Sequence, residues 1–223
     1  MGKRRIVEVD TTLFGERYDV REFIQVDNPD IMDLANELKA ITLEETVDNI
    51  LSYVAREIRY PFDYKGKPST AKKIKAFKWW GTVYLYSDYK EYTWLFPNQT
   101  IRVGYGICID TANLTVSLLR LYKIPAWVVL GSIIRSRDGK FMGFHAWVEY
   151  HFNGCWVYES TVHPEPLVIP CEKAYNGELD ILYDPFAWYN EKSYREDREK
   201  VRRYERIVGG ETRFTKTHRE RET

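Results

Sequence analysis

Gly104-Tyr105-Gly106-Ile107-Cys108-Ile109-Asp110-Thr111-Ala112-Asn113-Leu114-Thr115-Val116-Ser117-Leu118-Leu119-Arg120-Leu121-Tyr122 is the stretch around which the rest of the chain is read. From Cys108 onward, Ile109, Ala112, Val116 and Leu119 recur at helical spacing, and Leu118, Leu121 and Tyr122 widen the stripe. A helix over 108–122 is therefore apolar on most sides and is expected at the centre of the molecule. It ends before Pro125, whose ring disfavours helix in the residue ahead of it. The period then changes. Ala126 to Ile134 is rich in β-branched residues, and Phe144 to Phe152 alternates. Asn153-Gly154 supplies a turn, and Cys155-Trp156-Val157-Tyr158 resumes the alternation. A central helix followed by antiparallel strands is an α+β arrangement.

Working outward, two more helices are marked by their starts. Asn28-Pro29 supplies an N-cap and a first-turn proline ahead of Ile31, Leu34, Ala35 and Leu38. Thr42-Leu43-Glu44-Glu45 is a capping box ahead of Val47, Ile50, Leu51, Val54, Ala55 and Ile58. Residues 1–26 read as a short strand and an arm. Residues 65–96 read as an insertion, polar and basic at first, then carrying eight aromatic residues between Trp79 and Phe96. Its aromatics either pack on one another or wall a cleft, where Trp79 and Trp80 would bind substrate. Beyond Tyr189 the chain becomes highly charged. Glu196–Lys200 and Glu199–Arg203 are i,i+4 pairs, and Tyr194, Val201, Tyr204 and Val208 form a thin stripe. The expected organisation is one domain over 1–190, with its core at about 45–165, and a tail over 191–223. That tail would be a weakly docked helix to 208 and disordered from 211.

Composition narrows the function classes. The chain has 223 residues, 44% hydrophobic and 30% charged, with 33 basic and 33 acidic side chains. The mixture suits a globular domain with a sizeable core, and its balance argues against nucleic-acid or anionic-membrane binding. No apolar run approaches the roughly 18 residues of a membrane helix, and the basic start lacks an apolar signal segment. Cys108, Cys155 and Cys171 are an odd, widely spaced set. That spacing predicts no disulfide framework and a reducing, cytoplasmic setting. With no CxxC and no HExxH, and with His151, Cys155, His163 and Cys171 at unsuitable spacing, neither a metal site nor a cofactor is expected. The oligomeric state has no signature in the sequence.

Chemistry concentrates on three residues. Cys108 opens the central helix, where unpaired N–H groups and the helix dipole favour a thiolate and can hold an oxyanion. Alone, such a cysteine is more often a small core hydrophobe. His145 stands on the alternating strand Gly143-Phe144-His145-Ala146-Trp147-Val148-Glu149, and Glu159 follows on the partner strand of the hairpin. A nucleophile, a base and an orienting acid in that order form a catalytic-type set. Asp184, in Leu182-Tyr183-Asp184-Pro185, is the competing acid.

These residues resemble a family. Gly106-Ile107-Cys108-Ile109-Asp110, Ile124-Pro125-Ala126-Trp127-Val128-Val129-Leu130-Gly131, His145-Ala146-Trp147-Val148-Glu149 and Trp156-Val157-Tyr158-Glu159-Ser160-Thr161 resemble, in order, motifs of the transglutaminase-like core. Pro97-Asn98-Gln99-Thr100-Ile101 resembles the segment ahead of the family's cysteine. The resemblance covers about residues 45–165. It implies a papain-like fold and a Cys108–His145–Glu159 triad. It also implies acyl transfer through a thioester on a peptide or protein amide, by a peptidase, amidase or crosslinking enzyme. Gln99 or Trp94 would then supply a second oxyanion donor. The chain departs from the family pattern at Glu159, which stands where Asp is usual, and at Ser160, which stands where Pro is usual. The alternative is an inert module of the same fold, used for binding or assembly.

Overall fold

The computed structural model describes residues 6–9, 16–60, 75–78, 81–84, 94–161 and 164–207. Strands β1 (Ile6–Val9) and β2 (Glu16–Asp19) pair antiparallel and lead through a 3₁₀ turn at Val20–Phe23 to α1 (Pro29–Leu38) and α2 (Leu43–Glu57). Both helix starts are those expected from the sequence. Asn28 Oδ1 accepts the Asp30 N–H at 3.0 Å. Thr42 Oγ1 accepts the Glu45 N–H at 3.1 Å, while Glu45 accepts the Thr42 N–H at 3.2 Å. A small hairpin of β3 (Lys75–Lys78) and β4 (Gly81–Tyr84) lies in the aromatic insertion. Then come α3 (Pro97–Val103) and the central α4 (Cys108–Leu121). In α4 every side chain from Ile109 to Leu119 is buried. Each large apolar side chain among them, Leu114, Leu118 and Leu119 included, gains about 1.5–3 kcal/mol from leaving water. The buried hydroxyls bond back within the helix: Thr115 to the Thr111 carbonyl and Ser117 to that of Asn113, both at 2.8 Å.

The remainder builds one antiparallel sheet from β5 (Ala126–Arg135), β6 (Lys140–His151), β7 (Cys155–Glu159), β8 (Leu167–Pro170), β9 (Ile181–Tyr189) and β10 (Tyr194–Glu196). A short helix, α5 (Cys171–Asn176), follows β8, and α6 (Arg198–Ile207) follows β10. The strand order is β10-β9-β5-β6-β7-β8. Period-2 alternation explains its two faces. Val128, Leu130, Ala146, Val148, Tyr158 and Tyr189 meet α1, α2 and α4 in the main core. Val129, Trp147, Val157 and Tyr183 point the other way, into a smaller core closed by α5.

Two expectations are corrected. Cys155 and Cys171 form a disulfide, with Cα atoms 5.4 Å apart. Sequence spacing hides this because register creates it. Trp156 faces Pro170 across β7–β8, so the next pair outward is Cys155 with Cys171. The cysteine count therefore gives no argument for a reducing compartment. Among the described residues, no helix is long and apolar enough to cross a membrane. The charged tail is also not a helix from 191. Tyr194–Glu196 adds a strand to β9, and α6 begins only at Arg198. It docks firmly, with Tyr204 buried against Phe141, Phe144 and Phe186. Lys200 does not pair with Glu196. Its Nζ lies 2.5 Å from Asp184 Oδ1. Residues 208–223 lie outside the described residues.

Candidate active site

The start of α4 is held in place by its own neighbours. α3 ends on Gly104, whose φ of 70° is the left-handed conformation that glycine adopts without strain. The chain then bridges back to α2's end: Arg59 N–H donates to the Gly104 carbonyl at 3.0 Å and Gly106 N–H to that of Arg59 at 3.2 Å. A Cβ on Gly106 would lie 2.9 Å from Asp110 Cβ, so the glycine lets this turn close on the helix. Asp110 is fully buried. One of its oxygens accepts the Leu95 N–H at 2.8 Å, and the other accepts the Ile107 N–H at 2.9 Å. It thus lashes the Trp94–Phe96 segment to the helix turn that presents Cys108. Among the cysteines, Cys108 is the free thiol, and it is partly exposed.

His145 and Glu159 stand where the sheet opens. Pairing of β6 with β7 ends at Val148 opposite Tyr158. The hairpin turn is the three-residue Phe152–Gly154, one residue longer than Asn-Gly alone implies, since His151 faces Cys155. Continued by count, that register sets Glu159 opposite Trp147 and leaves His145 one diagonal step away. Diagonal neighbours are separated by roughly 7–8 Å, which suits the longer reach of glutamate. The outcome is a 2.7 Å hydrogen bond between His145 Nε2 and Glu159 Oε2. Cys108 is the imidazole's other polar neighbour, near enough to favour its charged form. With Nε2 given to the carboxylate, Nδ1 is the nitrogen left for the sulfur.

The electrostatics follow from burial and partners. Burial opposes charge on His145, but the Glu159 carboxylate and Cys108 outweigh it and hold the imidazole well above its ordinary range. Burial likewise pushes Glu159 up, yet the His145 charge and three hydrogen bonds leave it below the ordinary carboxylate range. Thr161 donates twice to Oε1, from its backbone N–H at 3.1 Å and its hydroxyl at 2.6 Å. Tyr183 donates its phenol to Oε2 at 3.1 Å. Burial and the neighbouring carboxylate push the Tyr183 phenol up, so it stays a proton donor there. Ser160 reaches the helix instead: its hydroxyl lies 2.7 Å from that of Thr111, joining the acid's strand to the first turn of α4.

Beneath the imidazole lies Trp147, with ring centroids 6.4 Å apart and planes at 26°. Trp147 crosses Gly131 so closely that a Cβ there would come 2.2 Å from its Cη2. Its indole N–H donates to the Tyr175 hydroxyl at 3.2 Å, which in turn donates to Glu149 at 2.7 Å.

The structure thus brings together Cys108, His145 and Glu159. Asp184 is placed elsewhere: Lys200 and Tyr204 take its two oxygens. Gln99 lies in the first turn of α3, where its Oε1 accepts the Phe96 N–H at 2.9 Å. Trp94 is buried, its ring against Phe23 and Tyr189. Trp79 and Trp80 lie outside the described residues, as does His163. Sequence reasoning missed Tyr183 and Thr161. Thr161 had a local signal, a hydroxyl two residues beyond the acid, whereas Tyr183 had none.

Residues 32–159 match the family model for the transglutaminase-like superfamily. The chain is 25% identical over 140 residues to the UPF0252 protein MJ1282 of Methanocaldococcus jannaschii, a match covering 63% of this chain and 34% of that protein. The match thus spans about a third of that relative's length. Among solved structures, calcium-bound LapG of Legionella pneumophila is similar at 14% identity and a TM-score of 0.46, over 80% of this chain and 86% of that one. A cysteine-protease candidate from Cytophaga hutchinsonii is similar at 17% identity and a TM-score of 0.43, over 74% and 43% respectively.

Proposed function

This chain belongs to the transglutaminase-like superfamily, and from that premise we propose that it is a cysteine hydrolase or acyltransferase acting on amide or peptide bonds. The observation carrying the proposal is the His145 imidazole bonded to the Glu159 carboxylate with Cys108 as its other polar neighbour. In this reading Cys108 Sγ attacks the carbonyl carbon of the amide. The C–N bond breaks as the His145 imidazolium gives its proton to the departing amine, and a thioester remains. Water then attacks the thioester with His145 taking its proton, and the acid product and thiol are released. Glu159 keeps the imidazole in one tautomer and stabilises its charged form.

The developing oxyanion has the N-terminus of α4 beside it, where main-chain N–H groups lack helical acceptors. Gln99 or Trp94 supplies the second donor, on the segment that Asp110 lashes to that turn. Gln99 is the better choice, because the Phe96 N–H engages its carbonyl oxygen and leaves its amide nitrogen as a donor. Hydrolysis is the default outcome because water is always at hand, whereas crosslinking needs an amine-acceptor site. The substrate is a peptide or protein amide. The test is a screen over a peptide library and glutamine-donor/amine pairs with the wild-type chain and Cys108→Ala. Turnover in the first and none in the second supports the reading. No turnover by wild type, with a fully inert thiol, favours a binding module.

A further inference from the structure

Further along β6, on the face that also carries His145 and Trp147, a second set of metal-binding side chains converges. Glu149 and His151 are two apart on β6 and so share a face, and Cys155 pairs directly with His151 across β6–β7. One ligand atom from each of Glu149, His151 and Cys155 lies within 4.8 Å of the others. A tetrahedral zinc ion with bonds of about 2.0–2.3 Å sets its ligands about 3.3–3.8 Å apart. The three atoms therefore need to close by at most about 1.0–1.5 Å.

Glu149 is prepared as a ligand. It is buried, and Oε2 accepts both of its hydrogen bonds, from Tyr175 at 2.7 Å and from the Trp188 indole at 3.3 Å. Oε1 faces His151 Nε2 at 3.5 Å. A carboxylate fixed through one oxygen and presenting the other matches the outer-shell support that metal ligands carry. The neighbouring cation is Arg195, 4.0 Å from Oε1. Its side chain is 63% exposed and lies over Trp188, so it is free to swing into water.

We propose that reduction of the Cys155–Cys171 disulfide opens a site here for a borderline divalent ion, zinc above all, held by Glu149, His151 and Cys155 with Cys171 as the fourth ligand. The disulfide form excludes the ion, because the metal takes a thiolate and neither bonded sulfur provides one. A dithiol supplies the two electrons and two protons. The S–S bond breaks to give two thiols, and the dithiol closes to its own disulfide. The ion then displaces a proton from each thiol. Cys171 opens α5 and its sulfur is bonded to that of Cys155, so on reduction it stands next to the three clustered atoms and turns in from outside them as the fourth ligand. A Cys₂-His-Glu set is a mixed soft and hard environment that suits zinc or cobalt rather than calcium or magnesium.

The experiment uses the full chain carrying Cys108→Ala, which removes the other thiol–imidazole pair as a competing ligand. The protein is reduced with a dithiol, freed of it under argon and titrated with Co²⁺. The expected result is about one ion per chain, with a thiolate-to-cobalt charge-transfer band and the visible bands of a tetrahedral ion. The same protein left oxidised should show neither. Cys155→Ser should lose part of the charge-transfer intensity, because Cys171 remains as a thiolate. If that variant does not fold, His151→Ala keeps both cysteines and alters a side chain that is 46% exposed. It should weaken Co²⁺ by more than the roughly 10–100-fold that losing an outer-shell partner costs. No thiolate band in the reduced chain, equal uptake by the oxidised chain, or unchanged affinity in His151→Ala overturns the proposal.

Discussion

Replacing Glu159 by Gln keeps the volume and removes the charge, and the four donors around this carboxylate set the consequences. His145 and Tyr183 point at Oε2, and the Thr161 N–H and hydroxyl point at Oε1. An amide has one oxygen, so one pair of donors must face an NH₂ group. Turned with its oxygen toward Thr161, the amide donates to His145 Nε2. The ring proton is then driven to Nδ1, the nitrogen facing Cys108, and the base cannot accept the thiol proton. Turned the other way, the Thr161 backbone N–H is left facing a donor, at a cost of about 1–3 kcal/mol. Either orientation removes the charge that holds the imidazole up. Turnover should fall by roughly 10–10⁴-fold, less than or equal to the loss in the corresponding serine-protease variant, because a thiol needs less help from its base. The alkaline limb of the pH–rate profile should move down as well. Stability depends on the same pair. His145, raised above 6.5, contributes fully below that pH, and its contribution is lost as pH rises through its folded value. Glu159, held below 4.5, contributes above that pH, and its contribution is lost as pH falls through its folded value. Wild type should therefore be best supported by the pair between about 4.5 and 6.5, and Glu159→Gln should flatten that dependence. Steady-state kinetics and urea unfolding across pH read both effects. Unchanged turnover with an unshifted profile would refute the reasoning.

Further expectations concern the supports of the site. Gly131→Ala should destabilise the fold by roughly 1–3 kcal/mol in urea melts and slow turnover, because the new Cβ strikes the Trp147 ring that lies under His145. Asp184→Asn should leave turnover near wild type while loosening α6, seen as faster proteolysis after residue 190, since Asp184 serves Lys200 and Tyr204. Breaking the Cys155–Cys171 disulfide, which spans 16 residues, should lower stability by about 3 kcal/mol on the chain-entropy model, read as a lower urea midpoint.

Much of this architecture is legible locally. The caps of α1 and α2, the near-continuous apolar surface of α4 and the alternation of β6 and β7 each depend on residues a few positions apart. The three residues of the candidate site are legible for the same reason: one opens a helix and two share a hairpin. The features that escaped depend on distant register. The disulfide exists because β8 returns alongside β7, and Tyr183 reaches Glu159 because β9 crosses to β5. Asp184 had the better dipeptide for a triad acid, but strand parity turns it to the other face, where the charged tail had an unforeseen anchor in it.

The most direct test of the central claim is the alkylation rate of Cys108 by iodoacetamide near neutral pH, followed by mass spectrometry in wild type and in His145→Ala. A thiol activated by its imidazole should label at least about tenfold faster than the same cysteine in the unfolded chain, and His145→Ala should abolish the excess. Equal, slow labelling of folded, unfolded and His145→Ala chains would contradict it.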